Sequence, residues 1–374
     1  MTHRRPLLAA ACAGMFVFGI VMALLGAVLP SVSARLHLEL SAVGALFLFM
    51  NGAMLATSLG VGPGMDRFGM KAPLAAGAWL VAASVESMTR APSYAALAAS
   101  AVVLGIGGGA LNAASNTLVA DLYDDPAEKS AALNFLGIFF GFGALFLPFL
   151  LGASLDTGAL HASAVLCVAA GLLALALKFP AAKQVHGWPI REMPRFLRQP
   201  LVLSMAFLLF FQSGNEFTLG GFLSTYLTSR GYSLSNASWL LALYWASIMA
   251  ARLFLSRFLP SLGPGRTLAF SAAGATAGCA ALAFFPSPVF IILAGFSLAS
   301  IFPTLLGVAG AQYPQHSGTV FGILFTIALC GGMTLPWIAG IAGQSFGLHA
   351  VFVQAALAFV AIFLLQRLVL RLIQ

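Results

Sequence analysis

Runs of about 20 apolar residues recur from one end of this chain to the other, separated by short polar connections. A bilayer core of about 30 Å is crossed by a helix of about that length, whose backbone groups all bond internally. Twelve such runs are found, near 8–30, 41–61, 73–89, 94–119, 130–152, 161–179, 201–228, 236–257, 267–285, 288–308, 318–340 and 348–370. They are too long for strands, and no alternating ten-residue pattern repeats. Only 7% of the 374 residues are charged, against roughly 25% in a soluble chain. A water-facing surface cannot be covered on so little charge. The expected class is therefore an all-α integral membrane protein with twelve transmembrane helices, which excludes soluble enzymes, nucleic-acid binders and secreted disulfide scaffolds.

The formal charge of +8 reads as loop bias rather than as affinity for nucleic acid. With the amino terminus inside, fifteen of the eighteen Lys and Arg residues fall on the cytoplasmic side, and only Arg35, Arg90 and Arg230 fall outside. Both termini are thus expected in the cytoplasm. The first run follows a basic start, but it is too long for the apolar core of a signal peptide and reads as the first span. Cys12, Cys167, Cys279 and Cys330 lie in separate apolar runs with no CxxC pair, so they are expected to behave as small hydrophobic side chains.

The longest polar connection, Ala181–Gln199, carries Lys183, Arg191, Arg195 and Arg198 with two prolines. It separates an amino-terminal six-helix half, 1–180, from a carboxy-terminal six-helix half, 200–374, and reads as a solvated linker at 181–199. The halves resemble each other. Phe142-Gly-Ala-Leu-Phe-Leu-Pro148 in span five answers Cys330-Gly-Gly-Met-Thr-Leu-Pro336 in span eleven, and the Gly105 run of span four answers the Gly295 run of span ten. The offset is about 190 residues in each case. Two pseudo-symmetric six-helix bundles are expected, an arrangement in which one repeat moves against the other.

Between spans two and three lies Gly62-Pro-Gly-Met-Asp-Arg-Phe-Gly-Met-Lys71. Glycines suit a tight turn at a helix end, Asp66 can face a helix amino terminus, and Arg67 and Lys71 suit the headgroup level. The stretch resembles the G-x3-D-R-x-G-R-K signature of the major facilitator superfamily, with Met70 replacing the penultimate arginine. The resemblance implies a gating role for Asp66, Arg67 and Lys71. Ala251-Arg-Leu-Phe-Leu-Ser-Arg257, followed by Gly263 and Arg266, reads as a degraded second copy.

Polar residues at membrane depth are costly and mark function. Glu216 is the one acid near the middle of a span, within Phe211-Gln-Ser-Gly-Asn-Glu-Phe-Thr-Leu-Gly-Gly221. Gln212, Asn215 and Glu216, at i, i+3 and i+4, are expected on one face. A carboxyl in apolar surroundings favours its neutral form and can carry a proton at neutral pH. Glu216 is accordingly a candidate for proton coupling or substrate binding, the alternative being a structural tie to a neighbouring helix. Asn112 and Asn116 lie one turn apart in span four behind a glycine run, and suit either a polyhydroxylated ligand or interhelical contact. Asn51, mid-span in span two, and Trp245, beside Tyr244 in span eight, complete the candidate binding set. Ser300 and Thr304 are expected to bond backbone. Glu86 and Arg90 are spaced for a surface ion pair. The six histidines fall in loops or span ends, and no metal cluster or catalytic motif is present.

Within the superfamily, the Gly-rich run with asparagines in span four, the acid of span seven before Gly220-Gly221, and Phe302-Pro-Thr304 in span ten are similar to the fucose/glucose/galactose–proton symporter group. Span one lacks the acid that the fucose member carries there. The Gly-Pro step typical of drug–proton antiporters is missing from span five. The resemblance implies a secondary transporter, active or facilitative, of a small polar solute, with a monosaccharide expected and Glu216 as the coupling site. An efflux transporter for amphipathic compounds is the alternative, and a non-transporting membrane sensor a third class. No cofactor is expected beyond a coupling proton. The expected surroundings are a small-molecule substrate and the lipid bilayer of a bacterial-type inner membrane, with the protein a monomer.

Overall fold

The computed structural model describes residues 4–123, 125–154, 157–179, 193–314 and 316–373. Thirteen helices follow in order: α1 Arg4–Leu36, α2 Leu40–Phe68, α3 Lys71–Arg90, α4 Tyr94–Leu122, α5 Pro126–Ser154, α6 Thr157–Ala176, α7 Met193–Leu197, α8 Pro200–Ser229, α9 Leu234–Phe284, α10 Pro288–Leu298, α11 Ile301–Gln312, α12 Ser317–Phe346 and α13 His349–Ile373. No strand occurs among the described residues.

Within α9, spans eight and nine are two helices that meet at a kink, where Gly263 takes φ 74°. Span ten, in contrast, is broken into α10 and α11. Pro303 explains the break: it offers no N–H to the carbonyl of Ala299, four residues back, and its ring crowds that carbonyl. Among the described residues, ten segments are long and apolar enough to cross a membrane; α3 and α8 have the length but not the hydropathy. Exposed Phe142, Phe149, Val165, Phe270 and Leu357 fit surfaces facing lipid rather than water.

The described chain forms two compact units. Unit 1 comprises Met1–Leu38, Phe49–Gly187 and Ser233–Ala242; unit 2 comprises Glu39–Leu48, Trp188–Tyr232 and Leu243–Gln374. In unit 1, α1 packs chiefly on α5, and α3 on α4 and α6. In unit 2, α8 packs on α12 and α13. Glycines make the close pairs. A methyl group placed on Gly143 of α5 would run into the carbonyl of Phe16 in α1, and one on Gly19 into that of Phe140. Unit 2 repeats the device: Gly331 of α12 lies against the carbonyl of Phe210 in α8, and Gly214 against that of Gly331. The sequence repeat therefore corresponds to one helix pairing made twice. Small residues permit such approach where lipid supplies no hydrophobic drive.

The connection between α2 and α3 is tight. The amide of Gly69 donates to the carbonyl of Met65 at 2.8 Å, and Gly69 takes φ 79°, a left-handed helix end that glycine adopts without strain.

Residues 181–192 of the expected linker lie outside the described residues. In the rest, Pro194, Arg195, Leu197 and Arg198 are exposed, and Phe196 makes a firm contact. Met193–Leu197 is helical, Phe196 is buried, its ring meets that of Tyr313 at 5.8 Å, and the Tyr313 hydroxyl donates to Gln199 at 2.7 Å. An aromatic side chain in the basic run docks the end of the connection onto unit 2. Glu86 does pair with Arg90, at 3.3 Å, and also meets His161 of α6 at 2.6 Å.

The glycine contacts predict a paired result. Gly143→Ala forces α1 and α5 apart and is expected to cost about 1–3 kcal/mol. Gly137→Ala on the same helix has open space around it and is expected to be neutral or slightly stabilising. Thermal unfolding of the two purified variants checks this, and equal melting temperatures would contradict it.

Candidate functional site

The polar run of α8 sits where most of that helix is buried, by α12 and α13 on one side. Its polar groups are thereby shielded from lipid, which is how a helix of low hydropathy can lie at membrane depth. Gln212, Asn215 and Glu216 are all buried. The Gln212 amide donates from Nε2 to Glu216 Oε2 at 2.9 Å. Arg252 of α9 brings a guanidinium nitrogen to 3.8 Å from Glu216 Oε1. Helical side chains lean toward the amino-terminal end of their own helix. Arg252, near the end of its span, therefore reaches back along α9 toward the level of Tyr244 and Trp245. The Tyr244 side chain is buried, and among the described residues neither its hydroxyl nor Gln212 Oε1 has a hydrogen-bond partner.

Asn215 points elsewhere. It donates to the carbonyl of Ala355 in α13 at 3.2 Å, so the expectation of one shared polar face is corrected. Successive residues on a helix are turned by about 100°, which separates Asn215 from Glu216 although each lies within a turn of Gln212. Asn215 serves as a tie between α8 and α13; Gln212 and Glu216 form the cluster with Arg252. Trp245 is buried, with its ring against Gly220 of α8 and at 5.3 Å from that of Tyr244.

Arg252 is the residue that sequence reasoning missed. The sequence places it in the degraded second copy of the loop signature, at the cytoplasmic end of span eight. The available signal was its place two turns after Tyr244, still inside an apolar run. Ser300 also differs from expectation: its hydroxyl meets that of Ser271 at 2.5 Å rather than backbone.

Unit 1 contributes a second polar pair. Asn112 and Asn116 of α4 are half-buried, and the Asn116 amide donates to the carbonyl and side-chain oxygens of Asn112, at 2.8 and 2.9 Å. The glycines before them seat α4 on its neighbours: Gly105 lies against the carbonyl of Met50 in α2, and Gly107 against that of Gly77 in α3. Asn51 of α2 is fully buried. In the loop signature, Arg67 stacks over the ring of Phe68 at 5.2 Å and Lys71 opens α3; the Asp66 side chain lies outside the described residues.

Comparison with known proteins places this arrangement. A glucose/galactose transporter of Brucella abortus is 26% identical over 163 residues, which is 40% of this chain and 38% of the relative. The chain thus matches well under half the length of that protein. A bacterial homologue of the lysosomal transporter Spinster, in an inward-facing and unoccupied conformation, superposes with a TM-score of 0.81 at 15% identity, over 99% of this chain and 97% of that one. The fucose:proton symporter of E. coli superposes with a TM-score of 0.66 at 18% identity, over 97% and 98%. Residues 11–328 match the Major Facilitator Superfamily, and the chain, an all-α multi-pass membrane transporter and not an enzyme, belongs to that family.

Proposed function

We propose that the protein carries a small polar solute, a monosaccharide, across a bacterial-type plasma membrane by alternating access, with Glu216 as the site of the coupling proton. The observation that carries this reading is the cluster of buried Gln212, Glu216 and Tyr244 with half-buried Arg252 in unit 2. A carboxylate at membrane depth that is held by a cation and an amide has a reason to be there, and it can bind and release one proton. Glu216 and Arg252 together are neutral, which leaves no net negative charge to attract a lipophilic cation and favours the solute reading over efflux of cationic amphiphiles. Asn112 supplies amide protons and Asn116 an oxygen beyond their mutual bond. Amides that donate and accept suit hydroxyl groups, which do both. The partial likeness to a glucose/galactose transporter points to the same class. The distribution of Lys and Arg supports a cytoplasmic side for both termini, and this reading takes the protein as a monomer with Asp66, Arg67 and Lys71 at its gate.

Three measurements test this. Purified protein screened by thermal shift against hexoses, amino acids, organic acids and cationic drugs is expected to respond to a hexose, with the shift lost in Asn112→Ala; a response confined to lipophilic cations would overturn the sugar assignment. In proteoliposomes, Glu216→Gln is expected to abolish accumulation driven by a pH gradient while leaving solute exchange in place. Accumulation that survives with unchanged binding rules out Glu216 as the coupling site. Arg252→Gln leaves Glu216 without its cation and is expected to lower initial uptake by roughly tenfold or more, with Arg252→Lys keeping the larger share. Equal uptake by both variants and the parent protein would remove Arg252 from the site.

A further inference from the structure

A trough runs along the outside of unit 1 where α1, α5 and α6 meet. It has a volume of about 590 Å³ and an almost wholly apolar lining that includes Leu8, Cys12, Phe16, Phe139, Leu166 and Leu173. One charged residue lines it, Arg5. The trough continues past Phe16 and Phe139 into a second, aromatic cavity of about 370 Å³ that reaches Phe149. From Arg5 to Phe16 the helix rises about 16 Å at 1.5 Å per residue. Half of a bilayer core of about 30 Å is about 15 Å, so the first cavity has the depth of one leaflet, with its cation at the headgroup end.

The two neighbouring arginines are used differently. Arg4 is committed: its Nε donates to the carbonyl of Leu122 at 2.8 Å, its guanidinium lies 3.5 Å from Glu128 and covers the ring of Tyr123 at 4.1 Å. Arg4 thus ties α1 to the ends of α4 and α5. Arg5 is exposed, and among the described residues it has no hydrogen-bond or ion-pair partner. Its fork of N–H donors matches a phosphate bidentately.

We propose that this trough is a binding site for one anionic phospholipid of the leaflet on the amino-terminal side, with an acyl chain lying along Leu8, Cys12 and Phe16 and the phosphate held by Arg5. A zwitterionic lipid fills the apolar part equally well but offers the guanidinium no net charge. One basic residue near an anionic headgroup is worth about 1 kcal/mol, which corresponds to about fivefold in affinity. The site is separate from the polar cluster on α8 and does not depend on what the protein carries.

Native mass spectrometry of the full chain in neutral detergent, titrated with dioleoyl phosphatidylglycerol or dioleoyl phosphatidylcholine, tests the assignment. The parent protein is expected to retain one phosphatidylglycerol with about fivefold preference over phosphatidylcholine. Arg5→Gln is expected to erase that preference. Arg371→Gln, in the last turn of α13, serves as a control for general charge and is expected to keep it. Ala9→Trp fills the trough without altering charge and is expected to weaken both lipids. Soluble glycerol phosphate is expected not to compete. Equal retention of the two lipids by the parent protein, a preference that survives Arg5→Gln, or full competition by glycerol phosphate would each overturn the proposal. Circular dichroism melts of the variants separate lost binding from lost folding, and Arg5→Gln decides the matter if Ala9→Trp does not fold.

Discussion

Helix pairs at backbone contact hold each unit together, and the contact exists because one residue in each pair has no side chain. In unit 1 the pair is α1 with α5 at Gly19 and Gly143; in unit 2 it is α8 with α12 at Gly214 and Gly331. Inside a bilayer the apolar side chains gain little by leaving lipid for one another. Close dispersion contact between backbones takes over as the cohesive force. It also decides where polar groups can be kept. Because α8 is pressed against α12, and flanked by α13, its middle turns are dry on those sides. There Gln212 Nε2 bonds to Glu216 and Arg252 lies beside the carboxylate, while Gln212 Oε1 has no hydrogen-bond partner among the described residues.

The same packing accounts for the division of labour along α8. Asn215 faces α13 and closes a backbone carbonyl there, which is a structural use of an amide. One residue further on, Glu216 has turned to α9 and meets a cation. A helix whose composition is too polar to pass as a membrane span on hydropathy alone is stable here through these partners. The polar character that lowers its hydropathy is what equips it chemically.

Much of this was legible from the chain. Twelve apolar runs located the membrane segments because helix length is set by bilayer thickness. Gly69 marked the turn after α2, and the matching Gly143 and Gly331 runs exposed the repeat, since a backbone contact tolerates nothing larger. Glu216 stood out because an acid in an apolar run has no cheap explanation. Other features were hidden for physical reasons. Arg252 sits where span-end arginines usually meet water, and only the backward lean of helical side chains sends it inward. The i+3 and i+4 positions after Gln212 diverge around the helix, so spacing alone did not separate the tie to α13 from the cluster with Arg252. The docking of Phe196 near Tyr313 was masked by the basic residues around it. The break between α10 and α11 was signalled by Pro303, although the hydropathy of the run is uninterrupted.

Glu216 and Arg252 also bear on how the membrane voltage can act. As an ionised pair they carry no net charge, so an electric field across the bilayer does little work on their joint displacement. Either charge without its partner would leave one uncompensated charge in the unit. Moving one elementary charge through the whole potential is worth about 2.3 kcal/mol per 100 mV. The pairing of one acid with one base in the same unit thus keeps the work done by the field on this cluster small, since the two opposite charges move together.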